Sequence, residues 1–128
     1  MSNSHEIGSL ILRLTLGLTF FIHGWSKFQG GIENTANFFS SLGIPGFMAY
    51  IVGSIELIGG LVMIVGLGTR IFSALFAAIL LVAIFTAKLT AGFLQGYELD
   101  VILLAVSIHL ILTGSRLYAV DALITRKK

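Results

Sequence analysis

No cysteine occurs in this 128-residue chain, and there is a single proline. Without thiols, disulfide relays, iron–sulfur clusters and covalent c-type haem attachment are excluded. With so little proline, long stretches can run as helix without meeting a breaker. Charge is scarce as well: 11% of residues are Asp, Glu, Lys or Arg, against 56% hydrophobic, and the mean hydropathy is +0.99. A water-soluble domain of this size cannot hide so much apolar surface, so a lipid bilayer is the solvent the composition requires. The pI near 9.2 reflects few charges rather than a nucleic-acid surface, because basic residues cluster only at the C-terminus.

What the chain does have is four long apolar runs, over 7–25, 47–67, 71–89 and 99–117. A hydrocarbon core about 30 Å thick takes about 20 residues at the helical rise. The runs are continuous rather than alternating, which selects helices over a barrel. The expectation is an all-α, single-domain protein over 1–128: a four-transmembrane-helix bundle. The first run has no basic residue before it and no small-x-small cleavage site after it, so it is expected to stay as the first helix. The longest connection, 27–45, is opened by Gly30-Gly31 and closed by Gly43-Ile44-Pro45-Gly46. Inside it, 33–42 mixes Phe38, Phe39 and Leu42 with Asn and Ser, the pattern of a short interfacial helix in the first outer loop. Arg70, Arg116, Arg126, Lys127 and Lys128 fall on one side, Lys27 and Lys88 on the other. That asymmetry predicts a multi-pass cell-membrane protein with both termini cytoplasmic. Trp25, Tyr50 and Tyr97 then mark the outer boundary and Tyr118 the inner one.

An ionisable side chain left in hydrocarbon costs about 2.5–3.5 kcal/mol. Arg13, Glu56 and His109 are therefore expected to point inward and to meet. Counted from the ends of the runs, Glu56 and His109 share a level near the midplane, with Arg13 one or two turns lower. A second polar layer is expected at the outer mouth: His23, Lys27, Lys88, Glu98 and Asp100. Helical phase puts Arg13, Gly17, Phe20, Gly24 and Lys27 on one face, Gly53, Glu56 and Gly60 on another, and Glu98, Ala105, His109 and Arg116 on a third. The small residues among them allow close helix approach. The plainer alternative stays open: a structural ion pair at Arg13 and Glu56, a neutral hydrogen-bonded His109, and headgroup-level charges at the mouth. His23 and His109 are about 11 Å apart along the membrane normal, which disfavours a two-histidine haem. No helix face carries a metal-ligand pattern, so no metal is expected.

The run Leu10-Ile11-Leu12-Arg13-Leu14-Thr15-Leu16-Gly17, followed by His23-Gly24-Trp25-Ser26-Lys27, resembles the opening of the DoxX family of small bacterial membrane proteins. The resemblance continues through Leu42-Gly43-Ile44-Pro45, Glu56-Leu57-Ile58-Gly59-Gly60 and Gly66-Leu67-Gly68-Thr69-Arg70. It closes on Gly114-Ser115-Arg116-Leu117-Tyr118-Ala119-Val120-Asp121, which keeps only the frame of the family's usual Gly-Pro-Gly-Arg-Tyr-Ser-Leu-Asp. It is closest to the Bacillus-type branch of oxidoreductases linked to catechol and hydroquinone resistance. Arg13, His23, Lys27, Glu56, Arg70 and Asp121 match family positions; His109, Lys88, Glu98 and Asp100 rest on the depth argument alone.

The resemblance implies a membrane oxidoreductase component that acts on or binds quinone, hydroquinone or catechol-type aromatics, in resistance to aromatic electrophiles or oxidative stress. Oxidising a quinol releases two protons with two electrons, so a proton acceptor is needed near the ring oxygens. Glu56, His23 and His109 are the expected catalytic residues. Arg13, Lys27, Lys88, Glu98 and Trp25 are the expected substrate-binding ones, with Phe20, Phe21 and Phe28 as further ring walls. Gly17, Gly24, Gly60, Arg70 and Asp121 are expected to be structural. The chain carries no motif for flavin or haem; a bound quinone is the cofactor that the resemblance implies. Electrons would then pass to a second quinone or to a membrane or redox partner protein. Two other functions fit the same residues: a proton-coupled exporter of small aromatics, which at this size would have to form homo-oligomers, and a non-catalytic subunit that assembles or stabilises a membrane complex.

Overall fold

A computed structural model describes residues 2–88, 92–116 and 119–124, with side chains from Ser4 onward except at 87, 88, 95 and 124. The expected placements of the Lys88 side chain, Tyr118, Arg126, Lys127 and Lys128 lie outside the described residues. Six α-helices follow in order: α1 (Ser2–Gln29), α2 (Ile32–Ser41), α3 (Met48–Val65), α4 (Thr69–Ala83), α5 (Glu98–Thr113) and α6 (Val120–Ile124). A π-helical turn, Ile84–Lys88, prolongs α4, and a second, Phe93–Tyr97, leads into α5. Among the described residues there is no strand.

Among the described residues, three helical stretches are long and apolar enough to cross a bilayer: Ser4–Gln29, Met48–Val65 and Thr69–Thr86. The fourth apolar run, expected as a full span over 99–117, is a 16-residue helix that stops at Thr113. Gly114 ends it by taking φ 66, which an L side chain rarely adopts, while its N–H bonds the Leu110 carbonyl at 2.8 Å. At the end of α3, Gly66 does the same at φ 83, donating to the Val62 and Met63 carbonyls.

The four long helices form a ring in which α1 packs on α3, α3 runs through a tight turn to α4, α4 packs on α5, and α5 returns to α1. Leu16 and Phe20 from α1, Met63 from α3, Phe76 and Leu80 from α4, and Leu103 and Leu110 from α5 fill the centre. Glycine sets the α1–α3 spacing. A Cβ built at Gly60 would lie 2.5 Å from the Gly17 carbonyl oxygen and 2.5 Å from the Phe21 nitrogen, and one at Gly24 would overlap the Leu57 backbone. Backbone thus meets backbone, the arrangement small residues permit between helices in lipid.

These contacts also fix the register. Gly17 lies against Gly60 and Ile64, Gly24 against Leu57, and Phe28 against Gly53. Relative to α3, α1 is therefore displaced toward the end of the bundle that carries the α3–α4 turn. His23 and Lys27 fall level with the middle of α3, and Arg13 falls level with the turn itself.

At that turn end, Arg13 is buried and donates to the Ile64 carbonyl at 3.3 Å, to the Ser115 carbonyl at 3.3 Å and to Ser115 Oγ at 3.4 Å. Asp121, within electrostatic reach of Arg13, accepts from the N–H groups of Gly68 at 2.9 Å and Thr69 at 3.3 Å. Its own N–H donates to the Gly66 carbonyl at 3.0 Å. The carboxylate so caps the first turn of α4 from a distant part of the chain, where exposed N–H groups and the helix dipole favour an anion. Asp121→Ala is expected to lower stability by about 1 kcal/mol, the usual worth of such a cap, with Asp121→Asn intermediate. Denaturant titration in mild detergent measures this; an unchanged midpoint in Asp121→Ala would show that the cap is dispensable.

Candidate functional site

A cleft of about 650 Å³ opens at the other end of the bundle, beneath α2. Its back wall comes from α1 and α5, its sides from α3 and α4, and its roof from Phe38, Phe39 and Leu42 of α2. Helical spacing explains which α1 residues face it: Phe20, His23 and Lys27 stand three and four positions apart and so share one stripe. The Phe20 ring stacks on Phe76 from α4 with centroids 4.0 Å apart and 8° between planes, which fixes the innermost apolar surface.

The chemistry sits against this back wall. Lys27 Nζ donates to Glu56 Oε1 at 2.7 Å, with side-chain exposures of 23% and 5%. Gly53 and Gly60, one turn to either side of Glu56, leave room for α1 to approach: the Phe28 ring covers Gly53, and Gly17 and Phe21 cover Gly60. A carboxylate this deeply withdrawn from water is tolerable as an anion only because an ammonium meets it at hydrogen-bond distance. His23 lines the cleft one turn before Lys27, and Asp100, buried in the first turn of α5, lines the same wall. Two carboxylates, an ammonium and an imidazole thus surround one end of an otherwise apolar space. Such a set can accept, donate and exchange protons with a bound hydroxyl or carbonyl. Among the described residues, no three His, Asp or Glu side chains converge as a metal-ligand set.

The structure does not bring Arg13, Glu56 and His109 together. Glu56 pairs with Lys27, while Arg13 lies nearly four turns earlier on α1 than Lys27, about 21 Å away at the helical rise. His109 bonds Ser9 Oγ at 3.1 Å near the turn end, apart from the cleft. Reading depth from the ends of apolar runs assumes that the helices are level. The glycine contacts set α1 against α3 in a displaced register, which lowers Lys27 from the mouth to Glu56 and Arg13 from the interior to the turn.

Two further placements differ from expectation. Trp25 is exposed on the outer surface, where its ring packs on Phe21 with centroids 6.4 Å apart, and it does not line the cleft. Glu98 is exposed and lies outside the cleft. Arg70, expected to be structural, is exposed at the turn end with its guanidinium beside Gly114. Asp100, by contrast, was placed at the mouth without a role, yet it is one of the most buried charged residues. A signal for it was present: Asp100, Leu103, Ser107 and Leu110 recur at helical spacing and form the buried face of α5, not the face through Glu98, Ala105 and His109.

Comparison with known proteins gives three matches. The DoxX family model covers residues 8–89, a span that includes His23, Lys27 and Glu56 and stops before Asp100. Over the full chain there is 52% identity to the protein named "Putative oxidoreductase CatD" from Bacillus subtilis (strain 168), across 95% of that protein. There is 27% identity to "Inner membrane protein YqjF" from Escherichia coli (strain K12), across 99% of each chain. No solved structure matches.

Proposed function

This chain belongs to the DoxX family of membrane proteins, and from that premise we propose that it is a membrane oxidoreductase component that binds a hydroquinone, catechol or the corresponding quinone in the cleft beneath α2. In this reading α1, α3, α4, and α5 with its preceding π-helical turn cross the bilayer. The turn end and both termini face the cytoplasm, in keeping with Arg70, Arg116, Arg126, Lys127 and Lys128. The α2 helix then lies at the opposite headgroup level. A role in resistance to aromatic electrophiles or oxidants follows from the substrate class.

The observation that carries the reading is the Lys27–Glu56 ion pair, set at 2.7 Å in the back wall of an apolar, phenyl-lined cleft. An aromatic diol places its ring against Phe20 and directs its oxygens to Glu56 and His23. On oxidation both C–OH groups become C=O. The two protons leave to the Glu56 carboxylate and the His23 imidazole, and the two electrons leave to a second membrane quinone or a redox partner protein. Lys27 holds Glu56 in place and donates to the product carbonyl. The relative's name as an oxidoreductase supports the reaction type.

Protein in lipid nanodiscs is expected to retain or bind a fully substituted benzoquinone with micromolar affinity, and Glu56→Gln or His23→Ala to remove that binding. Absence of binding to the wild-type protein at millimolar ligand refutes the proposal.

A further inference from the structure

The cleft is not closed on all sides: it opens along the seam between α3 and α4, which in the orientation proposed above faces the hydrocarbon of the bilayer. Where α1 meets α3, glycines bring the backbones into contact. α3 and α4, by comparison, touch mainly near their shared turn, where Gly59 lies under the rings of Phe72 and Phe76. Beyond that level the seam parts. Ile51 and Ile55 line it on the α3 side, and Leu75, Ala78 and Val82 on the α4 side. Ile51, Leu75 and Val82 are 44%, 38% and 53% exposed, so the same side chains form cleft wall and outer surface. The roof of Phe38, Phe39 and Leu42 meanwhile covers the cleft where it would otherwise meet water.

Two further facts constrain what can fill it. The charged groups, Lys27, Glu56, His23 and Asp100, lie apart from the seam, whose walls are aliphatic save for Thr86, and the Thr86 hydroxyl is spent on the Val82 carbonyl at 2.6 Å. The volume of about 650 Å³ is several times that of one six-membered ring. A bare catechol would occupy the polar end and leave an apolar space that water fills poorly. We infer that the ligand is a single-ring amphiphile carrying one hydrocarbon tail, with its ring at Lys27 and Glu56 and its tail in the α3–α4 seam, and that it is admitted sideways from the bilayer. This rests on the aromatic-diol reading above and narrows it. Moving a tail from lipid into the seam exchanges one apolar environment for another. Its contribution is therefore positional: it delivers the ring from the membrane and fixes its direction.

The test uses the full chain in lipid nanodiscs and a fully substituted benzoquinone with and without a decyl chain, compared at equal mole fraction in the membrane. Ala78→Trp and Val82→Trp fill the seam from positions that already face outward, so folding is retained. Ile71→Trp, on a lipid-facing position away from the cleft, controls for the added ring. Each seam variant is expected to lower affinity for the decyl ring at least tenfold relative to the tailless ring, and the control to leave both unchanged. Parallel loss of both rings, or loss of neither, overturns the inference. So does a wild-type protein that binds the tailless ring and rejects the decyl one; all three outcomes leave the aromatic-diol reading intact. Failure of the wild-type protein to bind either ring refutes that reading and the inference with it.

Discussion

Replacing Lys27 with methionine is expected to destabilise the bundle by about 3–5 kcal/mol, because it leaves the buried Glu56 carboxyl without the partner that compensates its desolvation. Replacing both partners, Lys27→Met with Glu56→Met, removes the desolvation problem together with the attraction and should recover most of that loss. Denaturant titration in mild detergent reads both steps, and a double-mutant cycle gives the coupling between them. If Lys27→Met alone costs less than about 1 kcal/mol, the pair behaves like an exposed ion pair and the cleft is wetter than its lining suggests. The double variant also separates functional readings. A protein that only props up a larger complex should work with a neutral pair, whereas one that moves protons from a bound diol should be stable and inactive.

The second large effect is steric. Gly60→Leu is expected to push α1 away from α3 and to prevent assembly of the cleft, since even a Cβ at position 60 would sit 2.5 Å from backbone atoms of Gly17 and Phe21. Overpacking of this kind usually costs about 1–3 kcal/mol, and more when main chain rather than a flexible side chain must yield. Gly60→Ala should already lower the unfolding midpoint measurably. Gly8→Ala, where nothing stands within 4 Å of the added Cβ, should change it little. Equal midpoints for the Gly60 and Gly8 variants would mean that the helices adjust their spacing freely.

Much of the helix plan was legible in the sequence, because a membrane leaves few alternatives to continuous apolar helices. The runs over 7–25, 47–67 and 71–89 correspond to the crossing-length helices Ser4–Gln29, Met48–Val65 and Thr69–Thr86, and the short amphipathic stretch over 33–42 to the helix Ile32–Ser41. The fourth run ends earlier as a helix than the expected 117, since Gly114 stops it at Thr113. Hydropathy registers the surrounding leucines and valines but not the backbone angle of one glycine. The site was only half legible. His23, Lys27 and Glu56 were singled out, but the pairing of Glu56 with Lys27 depends on how far α1 slides against α3. That displacement is written in the matching of Gly17, Gly24 and Gly60 across two helices, which no single helix displays. The face of α5 was a different kind of miss, since its buried stripe from Asp100 to Leu110 was available to periodicity.

The latch at the turn end has a consequence for biogenesis. Arg13 and Ser115 are separated by 102 positions in the chain. During translation the arginine therefore reaches the membrane long before the carbonyl, hydroxyl and carboxylate that finally surround it. Until the last helix arrives, a guanidinium must be sheltered by headgroups or by the insertion machinery, so the segment made last completes the fold of the segment made first.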